Sequence, residues 1–408
     1  MKKVVFAIVI GSILALLVAQ GCTPGEPAGK STVKIAVFGQ ESGDVKPLGD
    51  NTRAGAAYAA YEINQAGGIL GGREVEVINY DEGYTTEVVL TSAKEAVADG
   101  CVAFTGGVDA SQCLPVAEFC KERGIPFADS HGSLDKILLP DQWPGIYRTS
   151  GLVQTHPAGF VRWLAEQGYK KMVYVAVTGD YFKQCDAWFQ YYEDSGKLGE
   201  LELGETIWFT WGQADMTAEI TKALQEEPDI IFATLFSGVS VFPVMQRLNE
   251  LGYEGDLAIG WSALDDWVIA EEGGALVNGV MSHVTFFEDP EVPLNIKLTQ
   301  DYEAYRQATG GTIKHIGDYF MGGYEGLRSL AFAIDKAGST DGDKIVEALW
   351  GLDYDSPYGA KFKILPGGRM YIPYNYIVKA QDGKVVMVDK LSLTEADHID
   401  PYLPPGLD

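Results

Sequence analysis

From residue 33 to residue 284 the sequence repeats one short pattern, and that pattern leaves few folds open. A run rich in Val, Ile, Phe or Ala gives way to Gly, Asn, Asp or Ser, then to a longer stretch whose apolar residues recur at helical spacing. The runs read as strands at 33–39, 74–81, 101–106 and 125–129, with helices at 52–65, 86–98 and 111–123 between them. A second series follows. It has helices at 153–167, 181–192, 216–225, 239–251 and 265–272, and strands at 172–177, 206–210, 230–235, 257–260 and 279–284. Strands that alternate with helices imply parallel pairing, because a parallel pair needs a crossover and the helix provides it. The two series share period and element order. The expected fold class is therefore α/β, with two doubly wound parallel-sheet domains joined by a multi-strand hinge.

After residue 287 the pattern changes. Helices at 294–309, 320–336 and 342–349 come without strands of their own and must cover a sheet already built. The stretch 360–388 has strand-like alternation around Pro366-Gly367-Gly368 and a hairpin signal at Gln381-Asp382-Gly383. A late segment that completes an earlier domain means that the chain crosses between domains more than once. The candidate crossings are 148–151, 283–288 and a point within 356–362. The expected division is 33–149 plus 286–360 for domain I and 150–285 plus 361–395 for domain II.

The N-terminus carries a different message. Met1-Lys2-Lys3 is basic, residues 4–18 are apolar apart from Gly11 and Ser12, and Ala19-Gln20-Gly21-Cys22 follows. This reads as a signal peptide over 1–21. The alternative, a transmembrane anchor, calls for about 20 apolar residues and the run is shorter. Cys22 directly after Gly21 resembles the lipobox of prokaryotic lipoproteins, although Ala19 and Gln20 depart from its usual Leu and Ala or Ser. The resemblance implies lipidation at Cys22, with 22–32, rich in Pro and Gly, as the tether.

The formal net charge of −26 argues strongly against a nucleic-acid partner. Five cysteines are too few for a disulfide scaffold. Cys113 and Cys120 lie two helical turns apart and cannot pair with each other, while one disulfide involving Cys101 stays open in an exported chain. No His or Cys spacing fits a metal site, so no metal or other cofactor is expected. Gly260-Trp261-Ser262-Ala263-Leu264 lacks the closing Gly of a nucleophile elbow. With no positioned acid, base or nucleophile, the chain does not read as an enzyme.

Several stretches resemble the type 1 periplasmic solute-binding proteins that carry leucine, isoleucine and valine for ABC transporters. They are Glu41-Ser42-Gly43, Gly49-Asp50, Glu62-Ile63-Asn64, Gly67-Gly68-Ile69-Leu70-Gly71-Gly72-Arg73, Tyr80-Asp81-Glu82, Arg148-Thr149-Ser150-Gly151, Gly323-Tyr324-Glu325-Gly326 and Ser356-Pro357-Tyr358-Gly359. The resemblance spans nearly the whole chain after residue 32. It implies an exported protein that captures a small solute, foremost an amino acid, and hands it to ABC permease subunits. The alternatives are a small amide, urea-like or cationic solute, or a ligand sensor serving a separate signalling protein.

Open parallel sheets bind ligands beyond the carboxyl ends of their strands, so the residues just after strands are the site candidates. Gly106-Gly107-Val108-Asp109-Ala110-Ser111 follows a strand and opens a helix, where free N–H groups favour an anion. In amino-acid-binding relatives this loop holds the ligand's carboxylate, which implies ligand roles for Ser111 and Ser133. Ser111 as a plain helix cap is the other reading. Asp109 and Asp129 flank the same pocket. Facing inward they repel a carboxylate; turned to backbone N–H groups they organise the loops. In the second domain Tyr181, Trp261, Asp265 and Asp266 follow strands, and the family pattern implies that Asp265 or Asp266 meets an ammonium group. Tyr319 matches a family aromatic near the ligand.

Overall fold

The computed structural model describes residues 31–404 except 44, 133–134, 140, 211, 214, 236–237, 261, 265–266 and 402, with backbone only at 136 and 238–239. The segment expected as a signal peptide, Cys22 and most of the expected tether lie outside these residues.

The first lobe opens with β1 (Val33–Gly39), α1 (Lys46–Gln65), β2 (Val75–Asp81), α2 (Thr86–Ala98), β3 (Ala103–Gly106), α3 (Ala110–Arg123), β4 (Phe127–Asp129) and β5 (Ile146–Arg148). The second contributes α4 (Pro157–Glu166), β6 (Lys171–Val177), α5 (Asp180–Asp194), β7 (Glu202–Leu203), β8 (Ile207–Phe209), α6 (Thr217–Leu224), β9 (Ile230–Ala233), α7 (Gly238–Glu250), β10 (Asp256–Ile259), α8 (Val268–Gly273) and β11 (Met281–Val284). Then come α9 (Pro293–Thr309), α10 (Asp318–Ala337), α11 (Gly342–Leu349), β12 (Ile364–Leu365), β13 (Arg369–Met370), β14 (Tyr374–Gln381) and β15 (Lys384–Ser392).

These strands form two sheets. The first runs β12-β13-β5-β4-β3-β1-β2, and the second runs β15-β14-β11-β10-β9-β6-β7, with β8 also on β6. All pairings from β2 to β13 and from β7 to β11 are parallel; β12 pairs antiparallel to β13, and β14 and β15 extend the second sheet antiparallel. The expected α/β class with two doubly wound sheets is what the chain adopts. Each sheet has an apolar cluster on both faces: Ile35 and Val37 look to one side of the first sheet, Ala36 and Phe38 to the other. Val173 and Val175 oppose Met172 and Tyr174 in the same way in the second. A strand buried on both faces must be apolar throughout, which is why β1 and β6 read as unbroken runs.

In both lobes the strand order reverses beside the first strand: β1 lies between β2 and β3, and β6 lies between β7/β8 and β9. Those reversals open a crevice at the carboxyl ends of the strands.

The chain passes from the first sheet to the second after β5, returns after β11 and leaves again after β13. The last passage therefore comes later than the expected boundary at 360/361. The turn at Pro366-Gly367-Gly368 folds β12 and β13 back against β5, and the buried Arg369 fixes them by donating to the carbonyls of Leu138 and His398 and to the Gln154 amide oxygen. At the passage after β11, Asp318 at the start of α10 accepts from the Thr285 N–H and hydroxyl and from the Phe286 N–H at 2.7–3.0 Å. A carboxylate suits the positive end of a helix and three donors at once.

The Gly-rich start of α10 has a packing reason. α1 and α10 cross so closely that a Cβ on Gly323 would lie 2.0 Å from the Thr52 carbonyl oxygen, and one on Gly55 would lie 1.9 Å from that of Phe320. Cys101, Cys113, Cys120 and Cys185 are all free thiols and buried, so Cys101 forms no disulfide among the described residues.

Candidate ligand-binding site

A cleft of about 320 Å³ lies where the two crevices face each other. Val45 and Leu48 at the start of α1, Tyr84 after β2, and Val108 to Ser111 after β3 line it from the first sheet's side; Thr178 to Phe182 after β6 line it from the second's, and Tyr319 of α10 completes it. Its size is that of a small-molecule site. The lobes meet around it: the Asp135 N–H donates 3.1 Å to Gln184 Oε1 of α5.

Tyr181, Tyr319, Ser111 and Asp109 come together here as expected. Tyr319 stacks on His131, with ring centroids 4.0 Å apart. Burial and the nearby Arg148 hold the His131 imidazole well below its ordinary pKa, so it is neutral. Tyr181 packs edge-on against Phe182 at 5.0 Å, and burial pushes its phenol well up, so it stays a hydrogen-bonding hydroxyl. Ser133, Trp261, Asp265 and Asp266 lie outside the described residues.

Asp129 does not face the cleft. It is fully buried, accepts from the Gly132 N–H at 2.7 Å and pairs with Arg148 at 3.2 Å. Arg148 also holds Asp135 at 3.2 Å, so one guanidinium pairs with two buried carboxylates. Of the two readings of Asp129, the loop organiser is the one the fold adopts. Asp109 combines both: its carboxylate caps α3 through the Ser111 N–H at 2.7 Å and takes the Ser111 hydroxyl as well, yet the residue lines the cleft.

Glu82 was not among the sequence candidates. It follows β2, is 1% exposed, and accepts from the N–H groups of Val108 and Asp109 at 2.9–3.1 Å. The N–H groups expected to bind an anion are thus taken by the chain's own carboxylate. Burial raises the Glu82 carboxyl to about 8; the two N–H bonds oppose this, and Asp109 and Asp129 add to it. Only the strand order could have found this residue, since β2 and β3 flank β1 and bring their loops together.

Several buried side-chain polar atoms in both lobes have no hydrogen-bond partner among the described residues. They include both amide atoms of Gln40 after β1, the Ser130 hydroxyl after β4 and Gln112 Oε1 in α3. A buried polar atom left unpaired costs about 1–3 kcal/mol. No group of three or more metal-ligating side chains occurs among the described residues.

Two lobes with their sheet ends on one cleft make a bilobal α/β binding protein. The sequence profile of the periplasmic binding proteins matches residues 32–388, and the chain belongs to that family. It is a solute-binding protein of the transporter type, not an enzyme. Among its relatives, a leucine-, isoleucine-, valine-, threonine- and alanine-binding protein of Pseudomonas aeruginosa is 24% identical over 332 residues, covering 80% of this chain and 84% of its own. A leucine-binding protein of Thermotoga maritima superimposes with a TM-score of 0.76 at 21% identity, over 88% of this chain and 99% of that one. A solute-binding protein of R. palustris in complex with benzoate gives 0.77 at 17% identity, over 89% and 97%. Among the described residues no helix is long and apolar enough to cross a membrane.

Proposed function

We propose that this chain is the extracytoplasmic solute-binding component of an ABC importer, held at the membrane by acyl chains on Cys22, with its solute gripped between the two lobes. The observation that carries this is the convergence of the β3 and β6 exits on one cleft lined by Tyr181, Tyr319 and Asp109. A ligand touching both lobes favours the closed arrangement by its differential affinity, and the closed form is what the permease subunits would recognise.

Two ligand readings follow from different observations. An amino acid is favoured by the family and by the name of the Pseudomonas relative. A small amide, urea-like or cationic solute is favoured by the carboxylates at the cleft, Asp109 and Asp180.

The test is uptake and binding together. Deleting the gene should abolish import of the solute that raises the melting temperature of the purified chain, and restoring it with Cys22→Ala should leave the protein unanchored. Normal uptake in the deletion strain would sink the transport role.

A further inference from the structure

We infer that the cleft takes a small organic cation, an amine or amidine with an apolar body, and turns away solutes with a free carboxylate. The inference rests on the cleft's being the binding site and names the chemistry that this site accepts.

A carboxylate in such a site needs backbone N–H groups or a cation, and on the first lobe's side the loop N–H groups after β3 and β4 are committed elsewhere. Val108 and Asp109 donate to Glu82, Ser111 donates to Asp109, and Gly132 donates to Asp129. No Lys or Arg is among the described residues that line the cleft. Arg148 is bound to Asp129 and Asp135, and Arg53 to the carbonyls of Gly39 and Gln40. A carboxylate entering here would meet Asp109 and Asp180 at the surface, with no Lys or Arg among the described lining residues to offset the repulsion.

A cation meets the reverse. Asp109 and Asp180 offer charge, and Tyr84, Tyr181, Phe182 and Tyr319 supply ring surface, which attracts cations when desolvated. The buried Glu82 carboxyl is held toward its neutral form mainly by burial, with Asp109 and Asp129 adding to it.

The test uses compounds matched in shape and different in charge. The full chain after Gly21 is titrated with 3-methylbutylamine, 3-methylbutanamide, 3-methylbutanoate and leucine, and with benzylamine, benzamide and benzoate. One amine should raise the melting temperature by about 3 °C or more at saturation and bind at least roughly tenfold tighter than its carboxylate partner. Leucine or either carboxylate binding as tightly as the amines overturns the inference, as does an amide that outbinds its amine or a panel with no binder. Tyr181→Ala separates the two levels of failure. Carboxylate binding that this variant weakens refutes the charge preference and keeps the cleft, whereas amine binding that it leaves unchanged refutes the cleft itself.

Discussion

Replacing Glu82 with Gln probes the chemistry at the heart of the first lobe. Gln keeps an oxygen for the Val108 and Asp109 N–H groups and removes the ionisable proton. In the folded chain the Glu82 carboxyl is raised from 4.5 to about 8 by burial. Between these values the unfolded chain has lost the proton and the folded chain still holds it. The folded state binds more protons, so stability is full below pH 4.5 and falls as pH rises toward 8. The slope is about 1.4 kcal/mol per pH unit, which gives a ceiling of about 5 kcal/mol across the window. Asp109, Asp129, the Cys113 thiol and, further off, Arg148 face this region and set the window's position. Urea unfolding of both proteins at pH 5, 6, 7 and 8 reads the effect. Buried histidines and Asp135 titrate in both proteins and cancel in the difference. The Gln variant should gain on the wild type steadily as pH rises. A stability difference that stays flat from pH 5 to 8 would refute the reasoning.

Three further substitutions test other parts of the account. Arg148→Met strands Asp129 and Asp135 and should cost about 3–5 kcal/mol in unfolding free energy, with much of it recovered when both aspartates are also changed to Asn. A loss under about 1 kcal/mol would show that the triad is not the support of the β4 loop. Gly323→Ala forces a methyl against the Thr52 carbonyl and should cost about 1–3 kcal/mol in the same assay; an unchanged midpoint would mean that α1 and α10 can separate freely. Tyr181→Ala should weaken solute binding by roughly tenfold in calorimetry, whereas Ser111→Ala, whose hydroxyl is spent on Asp109, should change it by less than about threefold. The opposite ranking would move the ligand from the rings to the hydroxyl.

Much of the fold was legible because strands buried on two faces have to be apolar, and helices that cover them have to be amphipathic. The strands at 33–39 and 172–177 and the helix at 86–98 stand within a residue of their expected bounds. The hairpin of β12 and β13 was harder to assign, since two-residue strands carry no periodicity and Arg369 gives no hint that it is buried. The aromatic side of the cleft was also legible: Tyr181 and Tyr319 stand next to sheet exits in the sequence pattern. Its electrostatics were not. Whether Asp129 meets a ligand or an arginine depends on Arg148, one strand away, and whether loop N–H groups are open depends on Glu82, across the sheet. Contacts of that kind are set by strand order, which no local pattern records.

The central claim is that one solute touches both lobes at once. Hydrogen–deuterium exchange with whichever panel compound raises the melting temperature tests it most directly. Ligand should slow exchange both at residues 108–113, after β3, and at 178–184, after β6, since the cleft is built from both segments. Protection confined to one lobe, or found at neither segment, would contradict it.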